Sequence, residues 1–281
     1  MYRHIVLIIT LISLLLTPSG LNAREKKNKY VEVRPELPMP DLRLPSLKSQ
    51  KPLPAIAEIG SLKANKTNTV YVATGNHVAQ QRGGIDVSHY QGQINWGAVA
   101  RTGKVLYAFC KATENTNLMD NTYLYNVREA KRAGIPVGCY HFFSPKTSGA
   151  AQLQYFMENV NVDDLDIVPM LDVEVRGKAS LEEFQKQIRA WITGFENHYH
   201  FKPIIYASVN FYNKYLAGAF DDCIYMIAKY GDGVPNPQGP IPFAMWQYSA
   251  SGRIDGIKGA VDQSCFIDHF DVEHILIKNQ R

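Results

Sequence analysis

From Gly83 onward, short apolar runs alternate with stretches in which apolar positions recur at helical spacing. The short runs are GGIDVS (83–88), VLYAFCKA (105–112), PVGCYHF (136–142), IVPMLDVE (167–174), PIIYAS (203–208), CIYMIAKY (223–230) and FAMWQYS (243–249), with a further piece around Val261. Their β-branched and aromatic content predicts strands. Helical spacing appears in NTYLYNVREAKRAG (121–134), which ends on a glycine suited to a C-cap, and in SLEEFQKQIRAWITGFENHY (180–199). In the second, Ser180 and Glu183 form a capping box. Leu181, Phe184, Ile188, Trp191, Ile192 and Phe195 make its apolar face, which assigns Trp191 to the core. Strands alternating with helices predict an α/β fold, a parallel sheet with helices outside, closed or nearly closed into a TIM-like (β/α) barrel. The later strands follow one another with little helix between them, so an irregular and incomplete second half is expected.

The first 82 residues have a different texture. Arg3 and His4 precede an apolar run from Ile5 to Leu16, followed by Pro18, Ser19, Gly20 and Ala23, which reads as a signal peptide over 1–23. Leu21 is a poor residue before the cleavage point, so an uncleaved anchor is the alternative. Residues 24–66 carry ten Lys/Arg against five Asp/Glu, with six prolines between Pro35 and Pro54. Such a chain buries too little apolar surface to fold alone, and 24–82 is read as a basic, Pro-rich, mostly disordered linker. TVYVATG (69–75) is its one strand-like stretch. The folded domain is expected over 83–281, in a protein exported to the periplasm or secreted.

Charge narrows the partners. From Gly83 to the end there are 18 basic and 21 acidic residues, so the chain's net +4 resides in the leader and linker. A solvated linker, or one attracted to an anionic envelope polymer, accounts for it; nothing points to nucleic acid. Cys110, Cys139, Cys223 and Cys265 show no zinc-type spacing, and their pairing is left open. No cofactor or metal is expected, and a monomer is.

The chemistry lies in MLDVEV (170–175). In a strand Asp172 and Glu174 share a face, with Cα atoms roughly 6–7 Å apart. Buried unpaired charges are costly, so two acids in an apolar run are either a structural ion-pair site, with Lys111 as partner, or a working pair. Other strand ends carry polar groups too: Asp86 in GID, Glu114 after CKAT, Tyr140 and Phe142 in CYHF, Tyr206 in IIY, Trp246, Gln247 and Tyr248 in MWQY, and Asp262 after Val261. Carboxyl ends of barrel strands are where such folds place their chemistry. Aromatic rings stack on sugars, and paired carboxylates suit glycosidic cleavage, the more enclosed acid keeping its proton. Glu114 is as suited to an ion pair as to substrate contact, and His89 and His141 are read as structural rather than metal-binding.

The blocks GIDVSHYQGQINW (84–96), KATEN (111–115), AGIPVGCYHFFSP (133–145), LDVE (171–174), PIIYAS (203–208) and WQYSASGRIDGIKGAVDQSCF (246–266) resemble glycoside hydrolase family 25, the lysozymes (N-acetylmuramidases) of the Chalaropsis and phage-endolysin type. The resemblance implies a flattened, incomplete (β/α) barrel that hydrolyses the β-1,4 bond between N-acetylmuramic acid and N-acetylglucosamine in peptidoglycan, without a cofactor. It makes Glu174 the general acid and Asp172 the group stabilising the oxocarbenium or acetamido intermediate. Asp86 and Asp262 complete an acidic floor, and Tyr140, Phe142, Tyr206, Trp246, Gln247 and Tyr248 line the sugar subsites. Asn95, Asn115, Tyr225 and the QS after Asp262 depart from the family's usual residues without removing a carboxylate. Two other readings stand beside it: a silent peptidoglycan-binding module, and a hydrolase of chitin-like polymers.

Overall fold

The computed structural model describes residues 83–231 and 233–281; the leader and linker readings lie outside them. Nine strands and five helices follow in the order β1 (Gly83–Val87), α1 (Trp96–Arg101), β2 (Val105–Glu114), β3 (Leu118–Met119), α2 (Tyr123–Arg132), β4 (Val137–Phe142), α3 (Gly149–Asn159), β5 (Met170–Asp172), α4 (Leu181–Tyr199), β6 (Ile204–Ser208), α5 (Val209–Tyr215), β7 (Tyr225–Ala228), β8 (Phe243–Gly252) and β9 (Val261–Phe266). Pairing runs from β1 through β2, β4, β5, β6, β7, β8 and β9 back to β1, which closes a barrel. β3 folds back on β2 as a hairpin.

The α/β barrel is as expected, with two corrections. β9 runs antiparallel to both β8 and β1, so the ring is not wholly parallel. The loop from Gly252 to Val261 holds no crossover helix, and a direct return can only be antiparallel. β5 is also shorter than the apolar run that contains it. Pro169 removes a ladder donor, and Ile167 instead bridges to Leu276 near the C-terminus. Asp172 therefore ends the strand, and Glu174 stands beyond it.

Three helices escaped the periodic reading because α1 and α5 span two turns or fewer and α3 is weakly patterned. Each begins with a side-chain cap: Asn95 accepts from Ala98 N–H, Ser148 from Ala151 N–H and Ser208 from Phe211 N–H. Between barrel and helices lie Trp96, Phe156, Phe184, Trp191, Phe195 and Tyr212, all essentially buried. Trp191 stacks on Phe195 at 5.2 Å and on His141 at 5.8 Å, which confirms its core assignment. Inside the barrel, the Tyr107 ring fills the notch over Gly84, and its hydroxyl meets Ser264 Oγ at 3.0 Å. Ile275, Leu276 and Ile277 are buried, with Val168 N–H donating to Ile275 and Ile277 N–H to Asp166. This C-terminal segment ties down the residues that lead into β5.

α3 and α4 approach so closely at Gly149 that a Cβ there would overlap the Gln187 carbonyl, while Gly149 N–H donates to Gln187 Oε1 at 2.9 Å. Backbone cannot step aside as a side chain can. Gly149→Ala is therefore expected to cost about 2 kcal/mol, read as a lower urea midpoint with unchanged slope. An unchanged midpoint would mean the two helices are free to separate.

Candidate active site

β1 and β9 bring two acids face to face. Asp86 and Asp262 are Cα partners across the antiparallel ladder, so their side chains leave the sheet on the same side. Like charges so placed are destabilising unless something answers them. β5 places Asp172 in one rung with Phe142 of β4 and Tyr206 of β6. Glu174, two residues further, rises past the last ladder bond to where solvent reaches it.

Gln247 on β8 joins these elements. Its Nε2 donates to Asp86 Oδ2 at 2.9 Å, and its Oε1 accepts from the hydroxyls of Tyr206 at 2.8 Å and Tyr230 at 2.6 Å. Lys111, itself buried, pairs with Glu114 Oε2 at 2.6 Å and lies 5.2 Å over the Phe142 ring. Glu114 is thus the partner of Lys111, and the purely structural pairing of Asp172 and Glu174 with that lysine is not what the fold builds. Oδ1 of Asp86 and Oδ1 of Asp172 are buried without a hydrogen bond. A buried acceptor left unmade costs on the order of 1–3 kcal/mol, a cost that marks a site built for something other than stability.

Burial dominates the electrostatics. Asp86 is pushed up from an ordinary 3.8 to about 7, by desolvation first, opposed by the Gln247 bond and reinforced by the charge of Asp262. Asp172 lies well above the usual carboxylate range through desolvation and then the charge of Glu174, with Lys111 pulling the other way. Glu174 is raised too, by desolvation, then held back by the Tyr206 hydroxyl and pushed up by Asp262. The enclosed member of the pair is Asp172, at 8% exposure, whereas solvent reaches Glu174. Water can therefore hydrate the Glu174 carboxylate more readily than that of Asp172.

Asp86, Asp172, Glu174, Asp262, Tyr206 and Gln247 are linked by these bonds, registers and charges at one end of the barrel. Tyr140 and Phe142 are half-buried on β4; Tyr140 feels the charges of Asp172 and Asp86. The MWQY run divides. Gln247 turns toward the acids, while Trp246 is 5% exposed, donates its indole N–H to the Lys229 carbonyl at 2.9 Å and meets the Tyr248 ring edge-on at 6.0 Å. His89 is structural, its Nδ1 2.6 Å from the buried Asp120. So is His141, which contacts Thr113 and Gln152 and is lowered to about 4 by burial. All four cysteines are buried free thiols. Sequence reasoning missed Tyr230, which ends an apolar run and reads as a strand residue; it is 53% exposed with its hydroxyl on Gln247. A cavity of about 880 Å³ between the C-terminal ends of α3 and α4 contains none of the four acids.

A β/α barrel with its carboxylates gathered at one mouth has the form of a glycoside hydrolase. Asp86 and Asp172 lie at the carboxyl ends of β1 and β5, Glu174 just beyond, and Asp262 at the amino end of the reversed β9 rather than at the carboxyl end expected of it. The model of the Glycosyl hydrolases family 25 matches residues 85–257, more than half of the chain, and the chain belongs to that family. YegX of Escherichia coli K12 is 37% identical over 187 residues, covering 65% of this chain and 68% of that protein. Lysozyme M1 of Streptomyces globisporus is 36% identical over 198 residues, covering 65% and 67%. Among solved structures, the bacterial lysozyme from Streptomyces coelicolor superposes with a TM-score of 0.62 at 31% identity, covering 67% of this chain and 93% of that one.

The raised Asp86 value has a consequence for stability. The folded state binds this proton more tightly than the unfolded chain does. Its contribution is therefore full below the unfolded value near 4 and is lost as pH rises through about 7. Asp86→Asn keeps an oxygen for Gln247 and removes the titration. Its Tm is expected to exceed that of the parent by about 5 °C near pH 8 and to converge with it near pH 4. A gap that is the same at both pH values would show that Asp86 is not buried as an acid.

Proposed function

We propose that this enzyme is a muramidase that cleaves the β-1,4 bond between N-acetylmuramic acid and N-acetylglucosamine in peptidoglycan. The Asp172–Glu174 pair at the barrel mouth, above the facing Asp86 and Asp262, carries the reading. Family membership and the lysozyme relatives support the substrate class.

Glu174 is the general acid. A glycan strand laid across the mouth covers it and expels water, which strengthens its hold on a proton where leaving-group protonation requires one. The proton passes to the glycosidic oxygen, the bond from that oxygen to the muramic acid C1 breaks, and positive charge develops at C1. With the proton on Glu174, repulsion on Asp172 is relieved and the nearby Lys111 favours the Asp172 carboxylate. That carboxylate, through its uncommitted Oδ1, stabilises either the oxocarbenium centre or an acetamido group closing on it. Water then adds to C1 while Glu174, now ionised, takes its proton. Tyr140, Phe142, Tyr206 and Gln247 flank the reacting sugar; Trp246 and Tyr248 form the wall behind Gln247. The substrate lies outside the cytoplasmic membrane, in agreement with a leader over 1–23 and a linker over 24–82. The enzyme works as a monomer and without a cofactor.

Clearing of purified cell walls, with reducing-end muramic acid as the product, tests the activity itself. Glu174→Gln keeps the shape and loses the proton, so turnover is expected to fall by about 10²–10⁴-fold while thermal unfolding stays cooperative. Parental turnover in a folded variant would remove Glu174 from this role.

Asp172→Asn separates the two acids. A charge that matters mainly as positive charge develops lowers kcat with little change in KM. Should KM rise and kcat stand, Asp172 would be a sugar-binding residue instead.

A further inference from the structure

Around Glu174 the sign of the surface reverses. The loop after β4 carries Lys146, the loop after β5 carries Arg176 and Lys178, and α5, which leaves β6 directly, carries Lys214. The two loops touch, since a Cβ on Gly177 would meet Pro145 at 2.9 Å. Arg176 and Lys214 share one ring: the guanidinium lies 5.5 Å and the ammonium 5.1 Å from the centre of Tyr215. Arg176 is held further by its bond to the Ala179 carbonyl at 2.6 Å. Lys131, Arg132, Arg189, Lys202 and Arg281 all find carboxylates elsewhere on the molecule. Lys146, Arg176, Lys178 and Lys214 take part in none of the ion pairs formed among the described residues. Beyond Glu174 itself, the next acids along the chain are Glu182 and Glu183 in the first turn of α4. Glu183 is engaged with Lys186 and Gln187.

We propose that this basic rim is a binding site for the carboxylates of the peptide carried by the reacting muramic acid. The inference rests on the muramidase reading above and adds the substituent to it. The sugar whose C1 faces Asp172 and Glu174 is the one that bears a lactyl-linked peptide. Its substituent leaves the mouth beside Glu174, where Arg176 and Lys178 follow in sequence. A rim of four cations beside an acidic floor sorts the substrate by charge, with neutral sugar ring over the acids and anionic peptide over the lysines. Fixing Arg176 on Tyr215 and Ala179 in advance reduces the entropy lost on binding.

The test compares three glycan substrates with the full-length enzyme: strands bearing stem peptides with free carboxylates, the same strands with those carboxylates amidated, and strands stripped of peptide by an amidase. At low salt, kcat/KM should be about 5-fold higher on the first than on the other two, and the advantage should vanish at high ionic strength. Lys146→Gln/Lys178→Gln/Lys214→Gln, all at exposed positions, should lose that advantage while cleaving stripped strands at the parental rate. An advantage kept by the triple variant, or equal for amidated peptides, would overturn the proposal. No cleavage of any of the three would instead overturn the muramidase reading.

Discussion

Two carboxylates placed opposite each other on one rung, Asp86 on β1 and Asp262 on β9, set the terms for the rest of the barrel mouth. Left alone, such a rung would push the strands apart. The chain answers with a hub that is neutral overall: Gln247 gives its amide hydrogen to Asp86 and takes two tyrosine hydroxyls on its oxygen. An amide can do this because it is donor and acceptor at once; a lysine there would neutralise Asp86 and abolish its elevated proton affinity. Lys111, the one buried cation among the described residues, is held back by Glu114, so it tempers Asp172 and Glu174 without quenching them. Raised proton affinity is thus maintained by rationing positive charge.

Stability comes from the other parts of the molecule. The aromatic layer of Phe156, Trp191 and Phe195 clamps α3 and α4 onto the sheet, and the C-terminal Ile275–Ile277 segment is sewn to the approach of β5 by backbone bonds. β5 is the shortest strand of the closed ring; it ends on Asp172, and Glu174 stands two residues beyond. A short strand ending early lets Glu174 leave the ladder and reach over the mouth, where a longer one would have held it flat against the wall. Orphaned Oδ1 atoms on Asp86 and Asp172 are tolerable because the surrounding layers are so well packed.

Much of this was legible in the sequence, for physical reasons. Buried strands announce themselves as continuous β-branched runs, and two carboxylates inside such a run demand explanation, which is why Asp172 and Glu174 stood out. The long helix α4 showed its Ser180 cap and its apolar face, although Glu183 turns to Gln187 and Lys186 rather than closing the expected capping box. The short helices α1 and α5 did not, because two turns contain too few positions to establish a period. β9 was located but not oriented, since direction depends on the length and content of the loop that precedes it. Tyr230 was hidden by its neighbours: an aromatic at the end of CIYMIAKY looks like core until the sheet bends it toward Gln247. Trp246 misled in the opposite sense, because strand alternation and the Lys229 carbonyl bury it beside the residue that does face the acids.

The resting location of the proton is where sequence logic and structure part, and it sharpens the chemistry. Enclosure was expected to mark the general acid, yet the enclosed group is Asp172 and the hydrated one is Glu174. An acid that must reach a glycosidic oxygen cannot be sealed under its own barrel; it has to stand at the mouth, and there water lowers its grip on the proton. Substrate supplies the missing enclosure. On the proposed mechanism, covering Glu174 raises its affinity at the same moment that Asp172, relieved of a charged neighbour and still within the field of Lys111, becomes free to ionise. In that mechanism the pair moves from a resting arrangement with the proton on the floor to a reactive one with the proton at the mouth. On that proposal, polymer binding and acid catalysis are coupled through desolvation of a single carboxylate.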